Sequence, residues 1–301
     1  MQTQIGIFAK HLSRSTPEEL FDDIAAFGFN CVQFNAACLG VPSLPDTIDN
    51  AQWHRARRAA RNAGVQIVAL SATFNLLDEN RSRLADNFRR LDLLAQGATI
   101  LGTDLLTLCS GTRDQHDMWT YHAENKTSAA WQEMTDAIYK ALKIAEDYDV
   151  YLGIEPEVAN VVNSAENAAR LVRELGSDRI KIVFDPANLY APPADPSRDG
   201  HIVTDALSLL GAFVAIAHCK DVADPRAEPE ACHNRSGLYQ HVPAGKGILD
   251  YHHYLSELAR LVPHRVPLIL HGLDEEQVPA SVSFLRERLE EIAESRDSIK
   301  A

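Results

Sequence analysis

The chain has 301 residues, 46% hydrophobic and 24% charged, with a formal net charge of −13. That length and composition suit a globular protein with a substantial core and exclude a need for covalent staples. The acidic balance argues against a dedicated nucleic-acid binder, whose affinity rests on neutralising phosphates.

In chain order, Ile5 to Ala9 reads as a first strand. Thr16-Pro17-Glu18-Glu19 is a capping box with proline at the first helical position, and the helix it opens stops near Gly28. Cys31 to Asn35 is the second strand, followed by a helix from Asp49 to Ala63 that Gly64 ends. Val65 to Ser71 is the third strand, with a helix from Glu79 to Leu94. Leu105 to Cys109 is the fourth. A polar loop, Gly111 to Lys126, then precedes a long amphipathic helix from Ala129 to Asp147. The fifth strand begins at Val150 and ends in Glu155-Pro156-Glu157, where proline cannot continue a central ladder. Ser164 caps a helix to Leu175, and the sixth strand runs from Ile180 to Asp185. Asp205 to Phe213 is helical, and the seventh strand ends at His218. An irregular loop spans Asp221 to Gly247. Asp250 caps a helix to Leu261, Pro267 to Leu270 is the eighth strand ending at His271, and Asp274 caps the last helix.

Eight strands, each followed by a helix, with no composition shift that marks a linker, predict a parallel sheet closed into a single α/β (β/α)8 TIM barrel over residues 1–301. An open doubly wound sheet fits less well, because no G-x-G-x-x-G follows the first strand. Five cysteines, at 31, 38, 109, 219 and 232, are an odd number without a C-x-x-C spacing and read as free thiols in a reducing compartment. Met1-Gln2-Thr3-Gln4 lacks a basic region followed by a long apolar run, and no stretch reaches the length of a membrane span. The expected location is the cytoplasm, with no membrane or nucleic-acid partner.

In such a barrel the active site lies at the C-terminal ends of the strands. Glu155, Asp185, His218 and His271 all stand there, each after an apolar run, and a carboxylate is costly to bury unpaired. Hard carboxylate oxygens together with imidazole nitrogen suit a divalent metal, so these four are the expected ligands of one ion. Mn²⁺, Zn²⁺ or Co²⁺ is preferred over Mg²⁺ because of the imidazoles. Lys220 shares the strand parity of His218, and a neighbouring cation would depress its pKa and suit it to proton transfer; its bland alternative is a salt bridge with Asp221 or Glu157. Cys219 faces the other way. Glu157, Asn188, His116 and His122 are candidate substrate-binding residues, with loop packing as the ordinary alternative for the two histidines and for Trp119 and Arg113. Arg55, Arg58 and Arg61, at helical spacing, read as a solvated helix face.

Ile154-Glu155-Pro156-Glu157, Phe184-Asp185-Pro186-Ala187-Asn188, Ala217-His218-Cys219-Lys220-Asp221, Ala244 to Tyr251 and Leu268 to Gly272 together resemble the sugar phosphate isomerase/epimerase family. These are the xylose isomerase-like barrels of the AP endonuclease family 2 superfamily, which also include endonuclease IV. The resemblance implies a metal held by Glu, Asp, His and a last Glu, the first three falling on Glu155, Asp185 and His218. His271 stands where the last Glu is expected, which departs from the two-glutamate mechanism of the family's epimerases. The implied function is a metal-dependent isomerase or epimerase of a sugar or polyol-derived ketone, working through a metal-stabilised enediolate, with Glu155, Lys220 and His271 as catalytic groups. A lyase or dehydratase on a keto-sugar or keto-inositol is the alternative, and an endonuclease IV-like nuclease a remote one. The partner is a small carbohydrate; assembly into a homo-oligomer is left open.

Overall fold

The computed structural model describes residues 4–190, 200–224 and 238–300, the side chains of 296–300 excepted. Cys232, Pro225 and Pro229 lie outside the described residues. Eight parallel strands close on themselves: β1 (Ile5–Phe8), β2 (Cys31–Phe34), β3 (Gln66–Ser71), β4 (Leu105–Cys109), β5 (Tyr151–Glu155), β6 (Ile180–Phe184), β7 (Val214–Val222) and, after a short outlying β8 (His241–Pro243), β9 (Leu268–Leu270). Each pairs with its neighbour in the ring, and the β6–β7, β7–β9 and β9–β1 pairings complete it. The expected (β/α)8 barrel is therefore the fold.

Helices α1 (Pro17–Ala26), α2 (Asn50–Asn62), α3 (Arg81–Leu101), α4 (Ser128–Asp147), α5 (Ala165–Leu175), α6 (Gly200–Leu210), α7 (Tyr251–Leu261) and α8 (Val278–Lys300) alternate with the strands. Caps set where several begin: Thr16 accepts from the Glu19 amide, and Ser164 from that of Asn167, each satisfying a donor that the helix itself cannot. α3 starts at Arg81, with Asn80 as its cap, and runs on to Leu101, past the expected Leu94. The extension passes through Gly97, which sits against the Trp53 ring where a Cβ would collide. Tertiary packing there overrides the low helix propensity of glycine. No described helix is long and apolar enough to cross a membrane.

Two corrections concern the end of the chain that carries the site. The seventh strand does not stop at His218. It continues to Val222, because β8 pairs with it antiparallel outside the barrel, Lys220 opposite Pro243 and Val222 opposite His241. The described end of the loop read as irregular, 238–247, thus folds back along β7 beside the site. Asp221, one of the two carboxylates weighed in the salt-bridge alternative for Lys220, instead accepts the backbone amides of Val222, Gly245, Gly247 and Leu249 and pins that fold-back.

Strand alternation sorts side chains into two cores. The outward set, with Cys219 among it, packs under the helices. The inward set forms a separate plug of Cys31, Ala69, Leu105, Val183, Ile216 and Ile269. Gly153 completes that level, since a Cβ there would lie 3.1 Å from both Leu105 Cδ1 and Val183 Cγ2.

Candidate active site

Two residues further along the same inward faces, the interior turns polar. Gln33, Thr107, Asp185, His218 and Lys220 are all buried, and Glu155 and His271 are half-buried beside them. Each is placed by its strand: Glu155 is the last residue of β5, Asp185 follows β6 and caps a 3-10 turn through the Ala187 amide, and His218 and Lys220 sit on β7. His271 follows β9, and Gly272 at φ +68 turns the chain away at once.

Glu155, Asp185 and His218 offer three ligand atoms within 4.8 Å of one another, the only such group among the described residues. Glu155 Oε1 lies 3.3 Å and Asp185 Oδ2 3.5 Å from His218 Nδ1. His218 Nδ1 is buried without a hydrogen bond, and Asp185 Oδ2, buried beside it, has the Lys220 ammonium at 3.1 Å as its ion-pair partner. Native interiors rarely leave a buried nitrogen unsatisfied, and a bound ion is one of the few accepted reasons. Two carboxylate oxygens and one imidazole nitrogen, converging with unused lone pairs, fit a divalent cation. In the chain alone the same field collects a proton. Burial would lower the His218 pKa, but Glu155 and Asp185 outweigh it and raise it to about 9.

The surroundings hold the triad from both sides. His218 Nε2 lies 2.8 Å from Gln33 Oε1, and Gln33 Nε2 reaches Thr107 Oγ1 at 3.4 Å. Tyr254 donates its hydroxyl to the His218 carbonyl, and Tyr251 to that of Lys220. Lys220 Nζ sits 3.1 Å from Asp185 Oδ2 and donates to Asn188 Oδ1 at 2.7 Å. Asn188 Nδ2 donates in turn to Glu155 Oε1 at 2.7 Å. Burial opposes the charge on Lys220, yet in the metal-free chain Asp185, Glu155 and Glu157 raise its pKa. Burial pushes the Glu157 carboxyl up to about 7, partly offset by Lys220. Burial, then His218 and Lys220, drives the His271 imidazole far below its usual range, so it stays neutral.

His271 joins the triad by its ring and not by a nitrogen. It stacks on His218 at 4.9 Å between centroids and on Phe8 at 5.1 Å, with His11 edge-on at 5.3 Å. It is not one of the three clustered ligands, and its Nδ1 is buried without a hydrogen bond.

A cavity of about 230 Å³ opens above these groups, lined among others by Glu155, Glu157, Asn188, Lys220, His241 and His271. Trp119, Tyr190 and Tyr239 add aromatic walls. A larger hollow, about 600 Å³, lies at the opposite mouth and contains none of the triad. Of the expected substrate residues, Glu157 and Asn188 line the site cavity. His116 and His122 do not: His116 is exposed, and His122 Nδ1 accepts the Glu124 amide and caps a 3-10 turn. Gln33 and His241 escaped the sequence reading. Gln33 carried one usable signal, a polar residue at inward parity in an apolar strand. His241 carried none, because its position depends on the non-local β7–β8 pairing.

A sequence profile of the xylose isomerase-like TIM barrel family matches residues 21–288. No curated protein sequence matches the chain. Among solved structures, a D-tagatose 3-epimerase-like protein superposes with a TM-score of 0.72 at 15% identity, covering 97% of this chain and 99% of that one. A xylose isomerase-like TIM barrel/4-hydroxyphenylpyruvate dioxygenase fusion protein gives 0.71 at 18% identity. It covers 100% of this chain, which spans 45% of the fusion's length. The probable 3-DHS dehydratase AsbF, involved in petrobactin synthesis, from Bacillus anthracis gives 0.70 at 14% identity, covering 95% and 98%.

Proposed function

Because the chain belongs to the xylose isomerase-like TIM barrel family, we propose that it is a divalent-metal-dependent enzyme that moves a proton next to the carbonyl of a sugar or polyol-derived ketone, as an isomerase or epimerase. The observation that carries this is the convergence of Glu155, Asp185 and His218, with the buried Nδ1 of His218 left without a hydrogen bond, on a cavity that also holds Lys220 and Glu157. Those three residues would hold the ion, with Mn²⁺, Zn²⁺ or Co²⁺ suiting the imidazole. When bound, it supplies Lewis acidity that draws charge toward a carbonyl oxygen and acidifies the adjacent C–H.

The chain's own groups do the rest. Glu155 keeps one oxygen engaged by Asn188 and offers the other as a base toward the cavity. Lys220, charged and braced by Asp185 and Asn188, donates a hydrogen bond to oxygen as negative charge develops there. Glu155, having taken the proton, returns it to the neighbouring carbon in an isomerisation, while the neutral His271 ring forms part of the cavity wall. The aromatic walls exclude water and order the substrate's apolar face.

A second reading, a lyase that expels a β-hydroxyl after the same proton abstraction, is favoured by one specific observation. Glu157 is a buried carboxyl that stays protonated toward neutrality, the state needed to protonate a leaving hydroxyl. Incubation of the Mn²⁺-loaded protein with a panel of ketoses and cyclic polyol ketones in D2O separates the two. Deuterium at carbon without loss of water marks the isomerase, and appearance of a conjugated enone marks the lyase. No exchange and no elimination with any of them would overturn both.

A further inference from the structure

The polar layer contains one link that neither binds the ion nor lines the cavity. Gln33, from β2, spans the barrel to His218 on β7 and is itself held by Thr107 on β4. It is 3% exposed, and none of the cavity-lining positions is its own. A glutamine amide has two faces, an acceptor and a donor, and which face meets the imidazole decides where the imidazole proton sits. With Oε1 toward His218, Nε2 of the ring must carry hydrogen, and in the neutral ring that ligation requires Nδ1 is left with its lone pair. With the amide reversed, Nε2 would be the acceptor and Nδ1 would carry the hydrogen, pointing it at Glu155 and Asp185 and blocking ligation.

The surroundings choose between the two. His218 Nδ1 faces two carboxylates at 3.3 and 3.5 Å and no other hydrogen-bond partner, so it is the nitrogen placed to ligate. The other end of the Gln33 amide lies 3.4 Å from Thr107 Oγ1, a hydroxyl that can pair with either face, so the choice rests on the carboxylates at Nδ1. The ring has little freedom to escape this choice. Tyr254 fixes the His218 backbone carbonyl, and the His271 ring covers one face of the imidazole.

We infer that Gln33 is a positioning residue that sets the His218 tautomer, holding hydrogen on Nε2 so that Nδ1 serves as the metal ligand. This rests on the metal reading above. A ligating histidine depends on the partner of its second nitrogen for orientation and basicity, and loss of such a partner weakens metal affinity by about 10- to 100-fold. The role requires only an acceptor, so glutamate can replace glutamine, whereas leucine, similar in volume, cannot.

The test uses Zn²⁺ alone, titrated into the full chain by competition with a chromophoric chelator, on the wild type, Gln33→Leu and Gln33→Glu. The expected result is a 10- to 100-fold weaker Zn²⁺ affinity in Gln33→Leu and affinity within about threefold of wild type in Gln33→Glu. Long-range ¹H–¹⁵N spectra of the Zn²⁺-loaded wild type supply an independent readout, valid even if a variant fails to fold. His218 should show a protonated Nε2 and a metal-shifted Nδ1. Unchanged affinity in Gln33→Leu, equal weakening in both variants, or a metal-shifted Nε2 would overturn the role of Gln33. A wild type that binds no Zn²⁺ would instead overturn the metal reading itself.

Discussion

The inward faces of the same strands carry two layers that differ in nearly every property. The lower one, Cys31, Leu105, Val183, Ile216 and Ile269, is apolar and shut. Two residues later the faces read Gln33, Thr107, Asp185, His218 and His271, with Gly153 giving way to Glu155. One pleat of backbone separates packing from chemistry. The apolar plug is a low-dielectric floor, and on it the carboxylates and imidazole act more strongly on one another than they would in water. The difference teaches that burial does opposite work in adjacent layers: it stabilises the first, and in the second it concentrates charge and leaves imidazole nitrogens of His218 and His271 without a hydrogen bond.

The sharpest break is expected at Asp185. Asp185→Ala removes a ligand oxygen and leaves Lys220 without its buried counter-charge, at a cost of about 3–5 kcal/mol to folding. Elemental analysis should show loss of tightly held metal. Asp185→Asn, which keeps the shape and the acceptor oxygen, separates folding from ligation: it should fold and still lose metal. Equal metal in wild type and both variants would remove this site. Next comes Lys220→Met, expected to lower turnover by about 10²–10⁴-fold with metal content retained. Undiminished turnover would reduce Lys220 to a salt bridge. In the lower layer, Ile216→Ala should do the reverse, costing about 2–5 kcal/mol in denaturant unfolding while Zn²⁺ affinity stays within about twofold.

Glu157 links the layers through pH. Its carboxyl is raised by burial from 4.5 to about 7. Between those values the unfolded chain is already ionised while the folded one keeps its proton, so the contribution of this carboxyl to the stability of the metal-free protein falls as pH rises through that window and levels off above it. The full effect is about 3 kcal/mol. Glu157→Gln should make the slope of the unfolding free energy with pH between about 5 and 7 less negative than in wild type, and an unchanged slope would show that Glu157 ionises normally in the folded protein.

How much of this was legible depended on the range of the interactions. Glu155, Asp185, His218 and His271 stood out because each polar residue terminates a local apolar run, and strand alternation then put them on one face. The alternation of eight such runs with capped helices was enough for the barrel. What escaped was non-local. The extension of β7 to Val222 exists only because His241–Pro243 pairs with it from a loop without strand signal of its own. Gln33 in Cys-Val-Gln-Phe is an ordinary strand glutamine until His218, contributed from 185 residues away, meets it. The state of Lys220 depended on which carboxylate reached it, and Asp185, not Asp221, did.

The loop after β4 offers the smallest expected effect and a comparison of the same kind in miniature. His116, Trp119 and His122 are near neighbours in sequence, and all three suggested a substrate wall. Only Trp119 lines the cavity, with 48% of its surface still exposed at the mouth. His122 spends its Nδ1 on the Glu124 amide, and His116 contributes its own amide to Asp114 Oδ1 while its ring stays in solvent. Trp119→Ala should therefore raise KM by about 10-fold, the scale of one lost aromatic contact of about 1.5 kcal/mol, with kcat nearly unchanged. His122→Ala should cost about 1 kcal/mol of local stability through the lost cap and move KM by less than about twofold. His116→Ala should change stability by less than about 0.5 kcal/mol and leave KM where it was. A KM rise for His116→Ala as large as that for Trp119→Ala would mean that the loop closes over bound substrate and brings His116 inside, which would return both histidines to the substrate site.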